Sequence, residues 1–283
     1  MLARKRFFFV LLFLAFLGGS LADLALASWR GKTLRIPLAP ATAGPLIPAV
    51  EGPAGRPLIV IDPGHGGHDP GAISPFGGLM EKTLTLDAAR KIRAALLASG
   101  RVRVALTRDA DRFLALRERT AIARHLKADL FLSVHADSAD RTALGASIYT
   151  LSDIASDREA QALAQRENKA DILNGINLSG RDTAVTSILV DLAQRETMAR
   201  SVDFARLLRR EGSGLVPFHA GGVRMAGLAV LKAPDMPAVL LELGYLSHPA
   251  DVERLRSSAG QAAIARMVRR AVDIHFAVER GRD

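Results

Sequence analysis

The chain has 283 residues, 49% hydrophobic and 24% charged, with a formal net charge of +9 and no cysteine. The missing cysteine excludes thiolate nucleophiles, disulfides and Cys-ligated zinc, so any metal must rest on histidines and carboxylates. The basic balance points to an anionic partner, and a wall polymer or anionic membrane surface suits it better than nucleic acid, because acids are interspersed among the basic residues and the N-terminus carries an export signal.

Residues 1–27 read as a secretory signal peptide. Arg4, Lys5 and Arg6 form a positive start, Phe7 to Gly18 is apolar and uncharged, and small residues follow to Ala25-Leu26-Ala27. The apolar stretch falls short of the ~20 residues that span a bilayer. The competing reading is an uncleaved anchor, and Asp23 before the cleavage site leans slightly that way. Cleavage removes three basic residues and one acid, taking the formal charge from +9 to +7. Residues 28–56 read as a linker, with Pro37, Pro40, Pro45, Pro48 and Pro53 among Ala and Gly and no sustained period.

The folded domain is expected over 57–280. Strands are expected at 58–61, 102–107, 130–135, 145–150, 228–232 and 238–242, and helices at 81–98, 114–127, 156–173, 185–211 and 259–278. In the first helix Leu84, Leu86, Ala89, Ile92, Leu96 and Leu97 lie close to one face, and Gly100 supplies a C-terminal stop. Strands alternating with helices predict an α/β domain: a central, mostly parallel or mixed twisted sheet of about six strands, with helices on both faces. The interval 151–227 interrupts the alternation and reads as a helical insertion of the kind that serves as lid, arm or docking segment. Its first half, Ala155 to Leu173, is rich in charge and has a thin apolar stripe, so it is expected at the surface or over something polar.

Three apolar runs each end in a side chain suited to metal binding or proton transfer. Leu58–Ile61 leads through Asp62-Pro63-Gly64 to His65, Leu130–Val134 leads to His135, and Ala238–Leu241 leads to Glu242. Ligands gather at the carboxyl ends of strands in open α/β sheets. A hydrolytic zinc takes three protein ligands and keeps one position open. His65 and His135 are the first candidates, and Glu81, which opens a helix after Gly77-Gly78, is the third; its plainer role is to compensate the helix dipole. His68 and His248 lie near enough to line a pocket, whereas His125, His219 and His275 lack a strand-end setting. Glu242 is the candidate general base, the alternative being a structural ion pair with Arg224 or Lys232.

The segments IDPGHGGHDPGA (61–72), GLMEKTLTLDAARKIRAAL (78–96), TRDADRFLALRERTAIA (107–123), DLFLSVHAD (129–137) and MPAVLLELGYLSHP (236–249) occur in the order found in zinc-dependent N-acetylmuramoyl-L-alanine amidases of the division type, which this chain resembles over most of 57–275. The resemblance implies Zn2+ held by His65, Glu81 and His135, with Glu242 catalytic. It implies hydrolysis of the amide between the lactyl group of N-acetylmuramic acid and L-Ala of the peptidoglycan stem peptide, in the periplasm, without a covalent enzyme intermediate. ALAQRENKADILNGINL (162–178) is similar to the regulatory arm of such enzymes, in which an acidic side chain fills the open zinc position. The match places Glu167 there, with Asp171 as second choice, and implies an activator protein that binds the 151–227 arm during cell separation. Division amidases often carry a β-rich wall-targeting domain ahead of the catalytic one; the 28–56 span is too short to hold it. Two alternatives stand beside this reading: a non-catalytic peptidoglycan-binding or regulatory protein on the same fold, and a zinc peptidase cutting within the stem peptide.

Overall fold

A computed structural model describes residues 47–169, 187–233 and 235–281, with the side chains of 187–194 and 221 excepted. The signal peptide, most of the linker span and Asp171 lie outside the described residues. Six strands form one mixed sheet: β1 (Leu58–Pro63), β2 (Arg103–Leu106), β3 (Leu130–His135), β4 (Ala146–Leu151), β5 (Phe218–Ala226) and β6 (Ala238–Glu242). The order is β2-β1-β3-β6-β4-β5. The first four strands in that order run parallel, and β4 joins β6 antiparallel, so β4 and β5 run against the rest.

The helices are α1 (Glu81–Leu97), α2 (Leu116–His125), α3 (Arg158–Lys169), α4 (Ser187–Gly212), α5 (Pro249–Arg256) and α6 (Ser258–Glu279). Apolar side chains on successive strand positions point to opposite faces and are buried on both. Ile59, Ile61, Leu132, Val134, Val239 and Leu241 meet Ile92 of α1, Phe204 of α4 and Val268 of α6 on one face. Leu58, Val60, Phe131 and Leu240 meet Leu116 of α2, Leu163 of α3 and the Ala229–Leu231 turn on the other.

One expected strand is corrected. Residues 228–232 form a 3-10 turn over Ala229–Leu231, and the strand runs earlier, over Phe218–Ala226. The apolar run there is buried, with Val230 and Leu231 filling the second core rather than pairing in the sheet. Helix α5 is an addition to the expected set; His248 caps it by accepting from the Ala250 N–H, and Pro249 opens it. The end of the linker span also joins the domain, since Glu51 exchanges backbone hydrogen bonds of 2.9 and 2.8 Å with Val104 on β2. No helix among the described residues is long and apolar enough to cross a membrane.

Candidate metal centre

The sheet brings three chemical groups to one edge. Strands β1, β3 and β6 are neighbours, His135 and Glu242 are register partners at the ends of β3 and β6, and His65 lies two residues beyond β1. His65 has φ +59°, a left-handed conformation that costs a non-glycine residue about 1–3 kcal/mol. Such strain persists where surrounding bonds over-determine it, and it turns the imidazole towards α1.

Glu81, buried at the first turn of α1, divides its two oxygens between two pairs of partners. Oε1 accepts from the Ala136 N–H at 2.8 Å and lies 3.1 Å from His135 Nδ1. Oε2 accepts from the Ala72 N–H at 2.9 Å and lies 3.1 Å from His65 Nε2. Burial works against its charge, but the two imidazoles, His65 foremost, hold the Glu81 carboxyl well below the usual range. On its far side His65 Nδ1 meets Asp69 Oδ2 at 2.9 Å, the outer-shell carboxylate that fixes a ligating imidazole's tautomer and leaves Nε2 free to bind.

Helix α3 lies over these groups. Ala160, Leu163, Ala164 and Glu167 fall on one stripe at helical spacing; the first three pack into the core, and the fourth points its carboxylate at the imidazoles. Glu167 Oε2 is 3.2 Å from His135 Nδ1 and 3.7 Å from His65 Nε2. Ligand atoms of His65, His135 and Glu167 all lie within 4.8 Å of one another. The helix is tied down at three places. Asn168 donates to Gly227 O and accepts from the Ala229 N–H, both at 2.8 Å. Arg166 pairs with Asp137, its Nε 3.0 Å from Oδ2. At the start of the helix, Asp157 and Glu159 share Arg224, and Tyr245 donates to Glu159 at 3.1 Å.

The residues present fit a divalent cation. His65 Nε2 is buried without an aligned hydrogen-bond partner, although carboxylates surround it. Burial disfavours a charged imidazole, yet Glu81 and Glu167 hold His65 well above its ordinary value, as expected where a positive charge is wanted. Space is kept for the ligands: a Cβ at Gly64 would lie 2.4 Å from the His135 ring, and one at Gly71 would lie 2.6 Å from the His65 ring. Two imidazoles and carboxylates are a borderline-to-hard donor set of the kind zinc takes.

Glu242 is fully buried at the end of β6. Its Oε2 accepts from the Asp137 N–H at 3.0 Å, and Oε1 has no partner. Burial first, then Asp137, Glu81 and Glu167, push its carboxyl well above the ordinary value. Arg224, one alternative partner for Glu242, is instead engaged by Asp157 and Glu159. The remaining histidines stand apart from the cluster: His68 packs on Phe113, His219 lies beside Tyr245, His275 packs between Phe204 and Phe276, His248 caps α5, and His125 is exposed. Sequence reasoning passed over Asp69, although it lies in the same motif four residues after His65, and Asp137, two residues after His135.

Known proteins share this frame. A sequence model of the N-acetylmuramoyl-L-alanine amidase family matches residues 59–273. Amidase AmiC of Escherichia coli O6:H1 is 35% identical over 243 residues, which are 84% of this chain and 57% of that protein. AmiC of Neisseria meningitidis serogroup B is 40% identical over 215 residues, 75% of this chain and 51% of its own length. The chain therefore spans little more than half the length of either AmiC relative. AmiA of Escherichia coli K12 matches more fully, 32% identical over 262 residues, 92% of this chain and 90% of that one. Among solved structures, AmiC2 of Nostoc punctiforme aligns with a TM-score of 0.57 at 27% identity, covering 79% of this chain and 98% of that chain. A family match across the sheet, strand ends that carry the buried His and Glu cluster, and a relative aligned nearly end to end place this chain in the N-acetylmuramoyl-L-alanine amidase family.

Proposed function

We propose that this protein is an exported, zinc-dependent N-acetylmuramoyl-L-alanine amidase that hydrolyses the bond between N-acetylmuramic acid and L-Ala of the stem peptide, and that helix α3 holds it in an inactive state. The observation that carries the reading is the convergence of His65, Glu81 and His135 at the edge where Glu242 ends the neighbouring strand. His65, Glu81 and His135 would hold the ion, which when bound supplies Lewis-acid polarisation of the scissile carbonyl and an acidified water. Asp69 orients His65, and the Ala72 and Ala136 N–H groups orient Glu81. Glu242 takes the proton of the attacking water and passes it to the departing L-Ala amine. A buried carboxyl with a raised proton affinity and one unpartnered oxygen is suited to that two-way transfer.

Glu167 lies within reach of both imidazoles, where its carboxylate occupies the position a water and the substrate carbonyl need. Release then requires helix α3 to lift, a two-state change that an activator binding the arm would favour. The export reading of residues 1–27 and the basic charge suit work on the wall polymer in the periplasm.

Two measurements test this. Purified sacculi digested with the zinc-loaded Glu167→Ala variant, in which the arm is disabled, should yield intact stem peptides that begin at L-Ala, identified by mass spectrometry; cuts within the stem would make it a peptidase, and no release would make it a binding protein. Replacing Glu167 with Ala should raise basal cleavage by the isolated enzyme, and unchanged cleavage would remove Glu167 from the switch.

A further inference from the structure

The segment TRDADRFLALRERTAIA, 107–123, contributes neither a metal ligand nor a proton-transfer group, yet it places two guanidinium groups under the candidate metal site with almost no exposure, 1% for Arg108 and 2% for Arg119. Arg119 spends its donors on backbone. Its Nε donates to Leu114 O at 3.1 Å, Nη1 to Pro63 O at 2.9 Å and Nη2 to His65 O at 3.0 Å, while Nη1 also pairs with Asp62 Oδ1 at 3.0 Å. Arg108 takes the next carbonyls: Nε donates to Pro63 O at 2.9 Å, and Nη2 to Gly64 O at 2.8 Å and Lys82 O at 2.9 Å.

These bonds join all three elements that carry the proposed ligands. Pro63, Gly64 and His65 are the turn that delivers the first imidazole. Lys82 follows Glu81. Asp62, held by Arg119, accepts on its other oxygen from Ser133 Oγ at 2.9 Å, two residues before His135. The loop is pressed against Arg108 as well, since a Cβ on Gly66 would lie 3.0 Å from Arg108 Nε. A lysine ammonium has the charge but not the planar fork that reaches several carbonyls at once.

We propose that Arg119 and Arg108 are positioning residues that lock the 62–66 turn, with His65 in its left-handed conformation, before the metal arrives. The inference rests on the zinc reading given above. With the turn preformed, binding the ion carries no ordering cost, which is how outer-shell contacts gain affinity without touching a metal.

The test begins with the unaltered protein. Amide hydrogen exchange of the metal-stripped and zinc-loaded forms should show Gly64 and Gly66 protected in both, to within about tenfold; protection that arises only on zinc addition would overturn the proposal whatever the variants do. Arg119→Lys and Arg108→Lys are then titrated with zinc against a competing chelator. Each folded variant should bind zinc about 10- to 100-fold more weakly than the parent. Folded variants that melt lower but keep parental zinc affinity would make the guanidiniums ordinary structural groups and also sink the proposal. If the unaltered protein binds no zinc at all, the metal reading itself fails, which is a separate result.

Discussion

At the scale of single residues, the chemistry turns on how environment separates carboxyl groups. Glu81 and Glu242 are both fully buried acids near the same imidazoles, but Glu81 faces both rings and two N–H groups, whereas Glu242 has one N–H and a free oxygen. The first is held ionised as a ligand should be, and the second is driven towards its protonated form. Replacing Glu242 with Gln keeps the shape and removes the transferable proton. The expected outcome is a fall in kcat of about 10²–10⁴-fold, with zinc content of the purified protein unchanged by elemental analysis. His65, His135 and Glu242 were legible in the sequence because each follows an apolar run, where a polar side chain needs a partner or a task. Asp69 and Asp137 were not legible, because a carboxylate in a polar loop has no such contrast with its neighbours. Only the folded distances set Asp69 against His65 and Asp137 against Arg166.

At the scale of elements, helix α3 shows why a thin stripe is informative. Its position on the second core uses only Ala160, Leu163 and Ala164, a small apolar contact for twelve residues. Much of its attachment is polar and therefore divisible. Asn168→Ala deletes two hydrogen bonds to the Gly227–Ala229 backbone. At about 1 kcal/mol net for each bond, the lifted fraction should rise roughly thirtyfold, read as a matching rise in basal sacculus cleavage without an activator. Unchanged cleavage together with unchanged proteolytic sensitivity of the helix would show that these bonds do not hold the arm. The misplaced strand at 228–232 has a physical cause at this scale. Five residues of apolar sequence serve equally for a strand or for a buried turn, and periodicity cannot separate them. The true β5 carries Gly221 and Gly222, an exposed Met225 and a charged Arg224, a composition that does not advertise an edge strand. The other five strands were legible because their alternating apolar positions fill both faces of one sheet.

For the whole molecule, ligands from a turn, a helix start and a strand end mean that the ion would clasp elements far apart in sequence. Metal affinity is then also folding free energy. At a free zinc concentration 100 times the dissociation constant, the native state gains about 2.7 kcal/mol, and for a domain of this size each kcal/mol moves the melting temperature by about 2–4 °C. Calorimetry should therefore find the zinc-loaded protein melting about 5–10 °C above the chelator-stripped protein, and equal melting temperatures would argue against the three-element clasp.

The strand order β2-β1-β3-β6-β4-β5 has one more consequence. The piece at the middle of the sheet is the last strand to be synthesised, and it alone joins the halves on either side. Until residue 242 has been made, the two half-sheets have no strand to join them, and Glu242, the proposed proton carrier, is missing altogether. On the proposed function, the site would therefore be complete only once the chain has been made as far as β6, and a copy terminated before that strand would lack both the join and the proposed proton carrier.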